Sequence, residues 1–307
     1  MRRGDRVFRG LSLGAGVALL GVLAAIGLFL VVKAVPALRA NEGSFLTDAA
    51  WDPNARPPVF GIAALAFGTL LSSVLALLMA LPVALGVALF ISHYAPRRLA
   101  GPLGYLVDLL AAVPSVVYGL WGIFFLNDHV KAFSALLERY LGWIPLFDAD
   151  GVYGRSLFLA SIVLAIMILP IIASLSREVF LQVPVAQQEA ALALGATRWE
   201  MIRTAVLPFG RPGVVGATML GFGRALGETI AVALVLSPGF VISLAILAPS
   251  QGNTIAANVA LGFAEASDVG RGALIASGLV LFGITLLVNM AARAVIYRRA
   301  EFSGGAL

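Results

Sequence analysis

Six apolar runs, Leu11–Val32, Ile62–Ile91, Leu103–Leu126, Leu157–Leu175, Gly213–Leu236 and Leu274–Ala292, are each long enough to cross a lipid bilayer. A hydrocarbon core of roughly 30 Å takes about 20 residues of α-helix. Lipid offers no partners for open backbone, so such runs fold as helices that satisfy their own hydrogen bonds. The expected fold is therefore an all-α integral membrane protein with six transmembrane helices. Composition agrees: 60% of the 307 residues are hydrophobic and 12% charged, too few charges to clothe a soluble domain of this size.

Arg2, Arg3, Arg6 and Arg9 precede the first run in the manner of a secretory leader. That run is too long for a leader's apolar segment, and no small-x-small cleavage site follows closely, so it reads as a retained helix. With the N-terminus in the cytoplasm, thirteen Lys and Arg fall in inside segments: the N-terminal tail, Arg97 and Arg98, the loop from Arg177 to Arg211, and Arg293 to Arg299. Seven fall outside, which places both termini in the cytoplasm. The chain divides into residues 1–60 (N-terminal tail, first span and outer loop), a core permease domain at 61–296 containing a cytoplasmic loop at 183–208, and a C-terminal cytoplasmic tail at 297–307.

Several function classes drop out. The chain has no cysteine, and its two histidines, His93 and His129, are far apart in sequence, which argues against disulfides, thiolate chemistry and a histidine metal site. The net charge of +5 comes from arginines at the ends of apolar runs, a pattern that sets orientation and does not mark nucleic-acid binding. Pro82, Pro114 and Pro170 interrupt spans, and each removes a backbone donor. Kinks of this kind suit a transporter-like bundle, where neighbours or water satisfy the freed carbonyls, and equally suit ordinary packing irregularity. Two outer loops have helical periodicity and are expected to lie on the outer surface: Lys131–Leu141, with Phe133, Leu136, Leu137 and Tyr140 on one side, and Thr254–Ala266, with Ile255, Val259 and Phe263.

The loop Val183–Pro208, VPVAQQEAALALGATRWEMIRTAVLP, carries the densest local signal. Pro184 suits a first helical turn, Gln187–Leu194 are mostly good helix formers, and Gly195 can adopt the left-handed conformation that ends a helix. Thr197 and Glu200 form a Thr-x-x-Glu capping box that starts the next helix. Helix, sharp stop, helix is the expectation.

Glu189, Ala190, Ala191, Gly195, Leu207 and Pro208 resemble the EAA loop of binding-protein-dependent ABC permeases, whose pattern is E-A-A-x3-G-x9-I-x-L-P. One position departs, Ala205 standing where the family has isoleucine, with Ile202 or Val206 available as the apolar anchor. The resemblance implies a type I ABC importer permease (MetI-like) fold and a coupling helix docked on a separate ATPase. No G-x-x-x-x-G-K-[ST] run exists, so the chain is expected to bind no cofactor of its own, with ATP-Mg held by the partner ATPase.

Three charges fall within apolar runs, Asp108, Arg224 and Glu228, each costing about 2.5 to 3.5 kcal/mol at a bilayer centre. Arg224 lies about 16 Å along the fifth helix from Gly213. Glu228, at i+4 on a continuous helix, shares its face. The two form either a local ion pair used for packing or an anion-binding arginine oriented by a carboxylate, and these readings can coexist. Asp108 near an inner helix end reads as a snorkelling or capping group.

LLAAVPSVVYGLWG at Leu109–Gly122 and GFGRALGETIAV at Gly221–Val232 narrow the resemblance to phosphate-specific transport permeases of the PstC type. That resemblance implies Arg224 and Glu228 as transport residues, with Tyr118 or Trp121 shaping the pathway or only packing. It also implies a second permease (PstA-type), two ATPase subunits (PstB-type), an extracytoplasmic phosphate-binding protein (PstS-type) and an inner-membrane location. Sulfate or molybdate is the alternative cargo. A secondary transporter driven by ions would also carry intramembrane charges but would need no ATPase-docking loop. An intramembrane protease would need a catalytic pair, and neither G-x-S-x-G nor G-x-G-D is present.

Overall fold

The fold was obtained as a computed structural model that describes residues 3–303. Residues 1–2 of the N-terminal tail and 304–307 of the C-terminal tail lie outside the described residues. In chain order the helices are α1 (Arg3–Ala40), α2 (Ala63–Leu89, extended by a wide turn at Phe90–Tyr94), α3 (Arg97–Ala111), α4 (Ser115–Trp121, then a wide turn at Gly122–Leu126), α5 (Asn127–Leu141) and α6 (Leu157–Leu181). They continue with α7 (Val185–Ala193), α8 (Arg198–Met201, then a wide turn at Ile202–Val206), α9 (Leu207–Leu226), α10 (Ile230–Val235), α11 (Ile255–Gly262) and α12 (Asp268–Ser303). One small antiparallel pair, Trp51–Asp52 with Val59–Phe60, closes the loop after α1.

Four of the six apolar runs are single membrane-length helices: α1, α2, α6 and α12. The third is broken, α3 and the continuous helix Ser115–Leu141 meeting at 88°. Pro114 causes the break: it disfavours helix at Val113 and supplies no N–H, so a new helix starts behind it. Pro82 and Pro170, by contrast, sit inside unbroken helices. The fifth run is also not one helix, because α9 stops at Leu226 and α10 begins at Ile230. The C-terminal tail assigned to 297–307 begins as a direct continuation of α12, which runs to Ser303.

α6 is the central post, 72% of its most apolar window being buried against 28% for α2. α2 carries a row of small residues four apart, Ala64, Gly68, Ser72, Ala76, Ala80, Ala84 and Ala88, all buried; Ala76, Ala80 and Ala84 share the core with α6, while Gly68 packs on the Asn253 backbone. Small residues at this spacing let two backbones come close where lipid gives no hydrophobic reward for association. α9 lies against another side of α6, close enough at Gly221 that a Cβ would come within 2.7 Å of Ile172 Cγ1. α1 packs mainly on α12 and leaves its apolar surface outward.

The two expected surface helices turn out differently. Lys131–Leu141 is a helix, but it is the tail of the long Ser115–Leu141 rod; it buries Ser134 while Phe133, Leu136 and Tyr140 stay exposed. The Thr254–Ala266 segment lies on the surface only in its second half, where Leu261 and Phe263 are exposed; the start of α11 is sunk in the protein, burying Ile255, Ala256, Ala257 and Asn258. Its start is tied down by Thr254, whose hydroxyl accepts from the Ala257 N–H (3.3 Å), and by Thr69 of α2, whose hydroxyl accepts from the Ile255 N–H (2.9 Å). Polar groups satisfied in this way can go below the surface.

Candidate transport site and docking loop

Arg224 occupies the last turn of α9, and Glu228 lies in the break between α9 and α10. The two are therefore not neighbours on one helical face, and they form no ion pair among the described residues. That corrects the i+4 reading, which assumed a continuous helix. The break gives each charge its own support. A cation near a helix C-terminus and a carboxylate near a helix N-terminus both oppose the local partial charges of the backbone.

Glu228 is buried, 8% exposed, and its Oε1 accepts from the Ala231 N–H at 3.1 Å, capping α10. At the other end of α10, Arg155 donates from Nη2 to the carbonyls of Leu236 (3.0 Å) and Ala233 (3.3 Å). Sequence reasoning placed Arg155 only in an outer loop; the unsatisfied carbonyls it serves become visible once α10 is seen to be short. Opposite, Gly119 of α4 packs on the Ala231 backbone, where a Cβ would come within 2.8 Å of its Cα.

The Arg224 side chain is exposed on this chain and lines an open cavity of about 510 Å³ with Ala111, Ile171, Met219, Leu220, Gly223 and Asn289. Asn289 is a polar residue that the hydropathy of α12 concealed. Tyr118 stands in α4, just beyond the break. Its hydroxyl donates to the Leu110 carbonyl (2.8 Å), one of the groups freed where α3 ends, which makes Tyr118 a clamp across the Pro114 break. Trp121 stacks on Phe125. Asp108 accepts from Ser174 Oγ (2.5 Å) and from Arg177 Nη2 (3.5 Å), so it is held between helices.

The loop Val183–Pro208 folds as the local chemistry dictates, with Pro184 at the N-cap position, one residue before the first turn. Gly195 has φ +85°, and the N–H groups of Gly195 and Ala196 donate to the carbonyls of Leu192 (3.0 Å) and Ala191 (3.2 Å), the paired bonds of a Schellman stop. Thr197 and Glu200 form the reciprocal capping box. These bonds hold the Glu200 carboxyl below its ordinary pKa, chiefly through the Thr197 N–H and then its hydroxyl. Ile202 and Val206 are fully buried with Phe180, Val183 and Ala88, so they supply the anchor that Ala205 lacks. Glu189 and Ala190 are exposed, Ala191 is half-buried, and Leu194 is 90% exposed. Leu207 is half-buried, and Pro208 is exposed in the first turn of α9.

The family described as binding-protein-dependent transport system inner membrane component matches residues 80–300. The chain belongs to this family: it is a multi-pass permease subunit of an ABC importer, a class in which ATP hydrolysis is the work of a partner subunit. Within the family its relatives are PstC-type permeases. Phosphate transport system permease protein PstC 2 of Mycobacterium tuberculosis is 48% identical over 303 residues, covering 96% of this chain and 92% of the relative. Phosphate transport system permease protein PstC of Mesorhizobium japonicum is 38% identical over 299 residues, covering 96% and 90%. Among solved structures, an inward-facing MetNI methionine ABC transporter aligns with TM-score 0.54 at 17% identity, covering 76% of this chain and 95% of that one. A bacterial ABC transporter for the acidic polysaccharide alginate aligns with TM-score 0.57 at 19% identity, covering 96% and 99%. These structures share the fold.

Proposed function

We propose that this chain translocates inorganic phosphate across the cytoplasmic membrane, with both termini in the cytoplasm. Its partners in this reading are a PstA-type permease, two PstB-type ATPases and a PstS-type binding protein outside. The names of the relatives support the cargo. The observation that carries the mechanism is the exposure of Arg224 beside a break in a membrane-embedded helix. An arginine facing lipid there would be costly, whereas one facing a shared polar pathway between two permeases is functional. Irregular backbone at membrane depth is tolerated where it is buried in protein or lines such a cavity.

Arg224 offers its planar donor fork to the oxyanion, and Glu228 keeps the outer edge of the site in place by capping α10. On the cytoplasmic side Glu189 and Ala190 present the face of α7 that meets the ATPase, while Ala191 seats the helix against the cluster around Ile202 and Val206. The exposed Leu194 supplies apolar surface beside it. Closure of the ATPases, with ATP-Mg between them, pushes α7 and alters access to Arg224.

Radiolabelled phosphate uptake by the reconstituted four-component transporter tests the assignment. Arg224→Gln is expected to abolish uptake while the complex still assembles; normal transport by that variant refutes the pathway role. Strong inhibition of wild-type uptake by sulfate or molybdate would refute phosphate as the cargo.

A further inference from the structure

We propose that a cleft formed by the end of α2, α3 and the adjoining end of α6 binds the head group of an anionic phospholipid. The cleft measures about 500 Å³ and is lined by Ile91, Ser92, Arg97, Tyr105, Asp108 and Arg177, among others. It lies where α2 turns through Ala95–Pro96 into α3, at the end of a membrane span. α3 suits that boundary: Gly104 and Val107 face the protein, while Leu99, Tyr105, Leu106 and Leu109 are exposed. A helix with this distribution settles at the junction of head groups and acyl chains.

Positive charge gathers on the cleft. Arg97 and Arg98 stand in the first turn of α3, which has neither a side-chain cap nor an acidic residue. The positive end of that helix therefore adds to the two guanidinium groups. From the other wall comes Arg177, whose side chain is 14% exposed. It is seated on Gly104, where an added Cβ would come within 1.8 Å of Nη1. Its Nη2 is held by Glu178 Oε1 (2.7 Å) and more loosely by Asp108 Oδ2 (3.5 Å).

The Arg177 Nε is shut off by burial, but its Nη1 is not, and Nη1 makes no hydrogen bond among the described residues. Such a donor calls for an acceptor, and a phosphoryl oxygen is the acceptor that matches an arginine fork. Asp108 and Glu178 hold Arg177 in place and offset its charge, leaving Arg97 on the cleft wall, with Arg98 beside it, as the cations that face an anion. The apolar wall at Ile91, with the exposed leucines of α3 beside it, suits a phosphodiester attached to acyl chains better than a free ion.

The test is native mass spectrometry of the full-length chain, with phosphatidylglycerol or phosphatidylcholine of the same acyl chains added to the detergent solution. Preferential retention of phosphatidylglycerol is expected. Arg97→Gln should lower it about five-fold, the worth of one basic residue at an anionic surface, and Arg97→Lys should restore most of it. Gly104→Leu, which displaces the Arg177 guanidinium, should weaken it as well. Because Arg97 is exposed, its variants report on binding without disturbing the fold. Equal retention of the two lipids, or full phosphatidylglycerol preference in Arg97→Gln, overturns the site. Displacement of the lipid by millimolar inorganic phosphate overturns the lipid in favour of a free anion. The comparison of the two lipids and of the Arg97 variants depends neither on transport nor on its cargo.

Discussion

Replacing Glu228 separates two roles that a carboxylate inside a membrane protein can play. Its Oε1 accepts the Ala231 N–H at 3.1 Å in a buried setting, and α10, with only six residues, has little else to hold its start. Glu228→Ala orphans that N–H, which costs about 1 to 3 kcal/mol. Loss of an N-terminal cap acceptor, at about 0.5 to 2 kcal/mol, gives a similar figure. At about 2 kcal/mol, opening of α10 becomes roughly 30-fold more frequent. Glu228→Gln keeps the shape and an acceptor oxygen, losing only the charge-assisted share, about 1 kcal/mol. Hydrogen–deuterium exchange over residues 230–236, read beside uptake by the reconstituted transporter, distinguishes them. Exchange should rise and uptake fall in the alanine variant, with the glutamine variant close to wild type. If Glu228→Gln abolishes uptake while its α10 amides remain protected, the carboxylate charge acts in the pathway and the capping argument fails.

Three further outcomes follow from the docking loop. Glu189→Lys reverses the charge on the exposed face of α7 and should weaken co-purification of the ATPase while leaving membrane insertion intact; undiminished co-purification would remove α7 from the interface. Gly195→Ala meets open space but must hold φ +85°, so it should destabilise the loop by about 1 to 2 kcal/mol, read as faster proteolysis between α7 and α8. The Glu200 carboxyl is held below its ordinary pKa by the Thr197 N–H and hydroxyl, so its stabilising effect is complete above the ordinary carboxylate range and is lost as pH falls through the depressed value. Amide protection at the start of α8 should therefore decline only in acid, and Thr197→Ala, which removes the hydroxyl but keeps the N–H, should reduce that pH dependence without abolishing it.

What could be read from residues alone was what local chemistry decides. Gly195, Thr197 and Glu200 specify stop and cap within a few residues, and the loop folds accordingly. The seam from Ala64 to Ala88 is also written in the sequence, as seven small residues four apart, but a hydropathy reading passes over it. The break after Leu226 was hidden by the apolar residues on both sides of it: hydropathy sums across Gly227–Thr229 without registering that the backbone changes direction. From that one assumption came the mistaken pairing of Arg224 with Glu228. The burial of α11 was concealed differently, because its start is satisfied by Thr69, 186 residues from Ile255, and no local pattern reports a partner so distant. Asn289 was overlooked for a third reason: one amide in a long apolar helix becomes informative only when Arg224 is found on the same cavity.

Between the docking loop and the proposed anion site there is one continuous helical path. Helix runs without interruption from Arg198 through the wide turn at Ile202–Val206 to Leu226, about 43 Å at 1.5 Å per residue. Its lower end is gripped by Phe180, Val183 and Ala88 around Ile202 and Val206, and Arg224 sits in its last turn. Beyond the break, α10 is held separately, by Glu228 at one end and by Arg155 at the other. A force applied to α7 first crosses the turn at Gly195–Thr197; from Arg198 it reaches Arg224 along one helix and then meets a discontinuity at Gly227–Thr229. The outer half of the site can stay fixed while the arginine moves against it, and a broken span performs this better than a continuous one, which would carry both halves together.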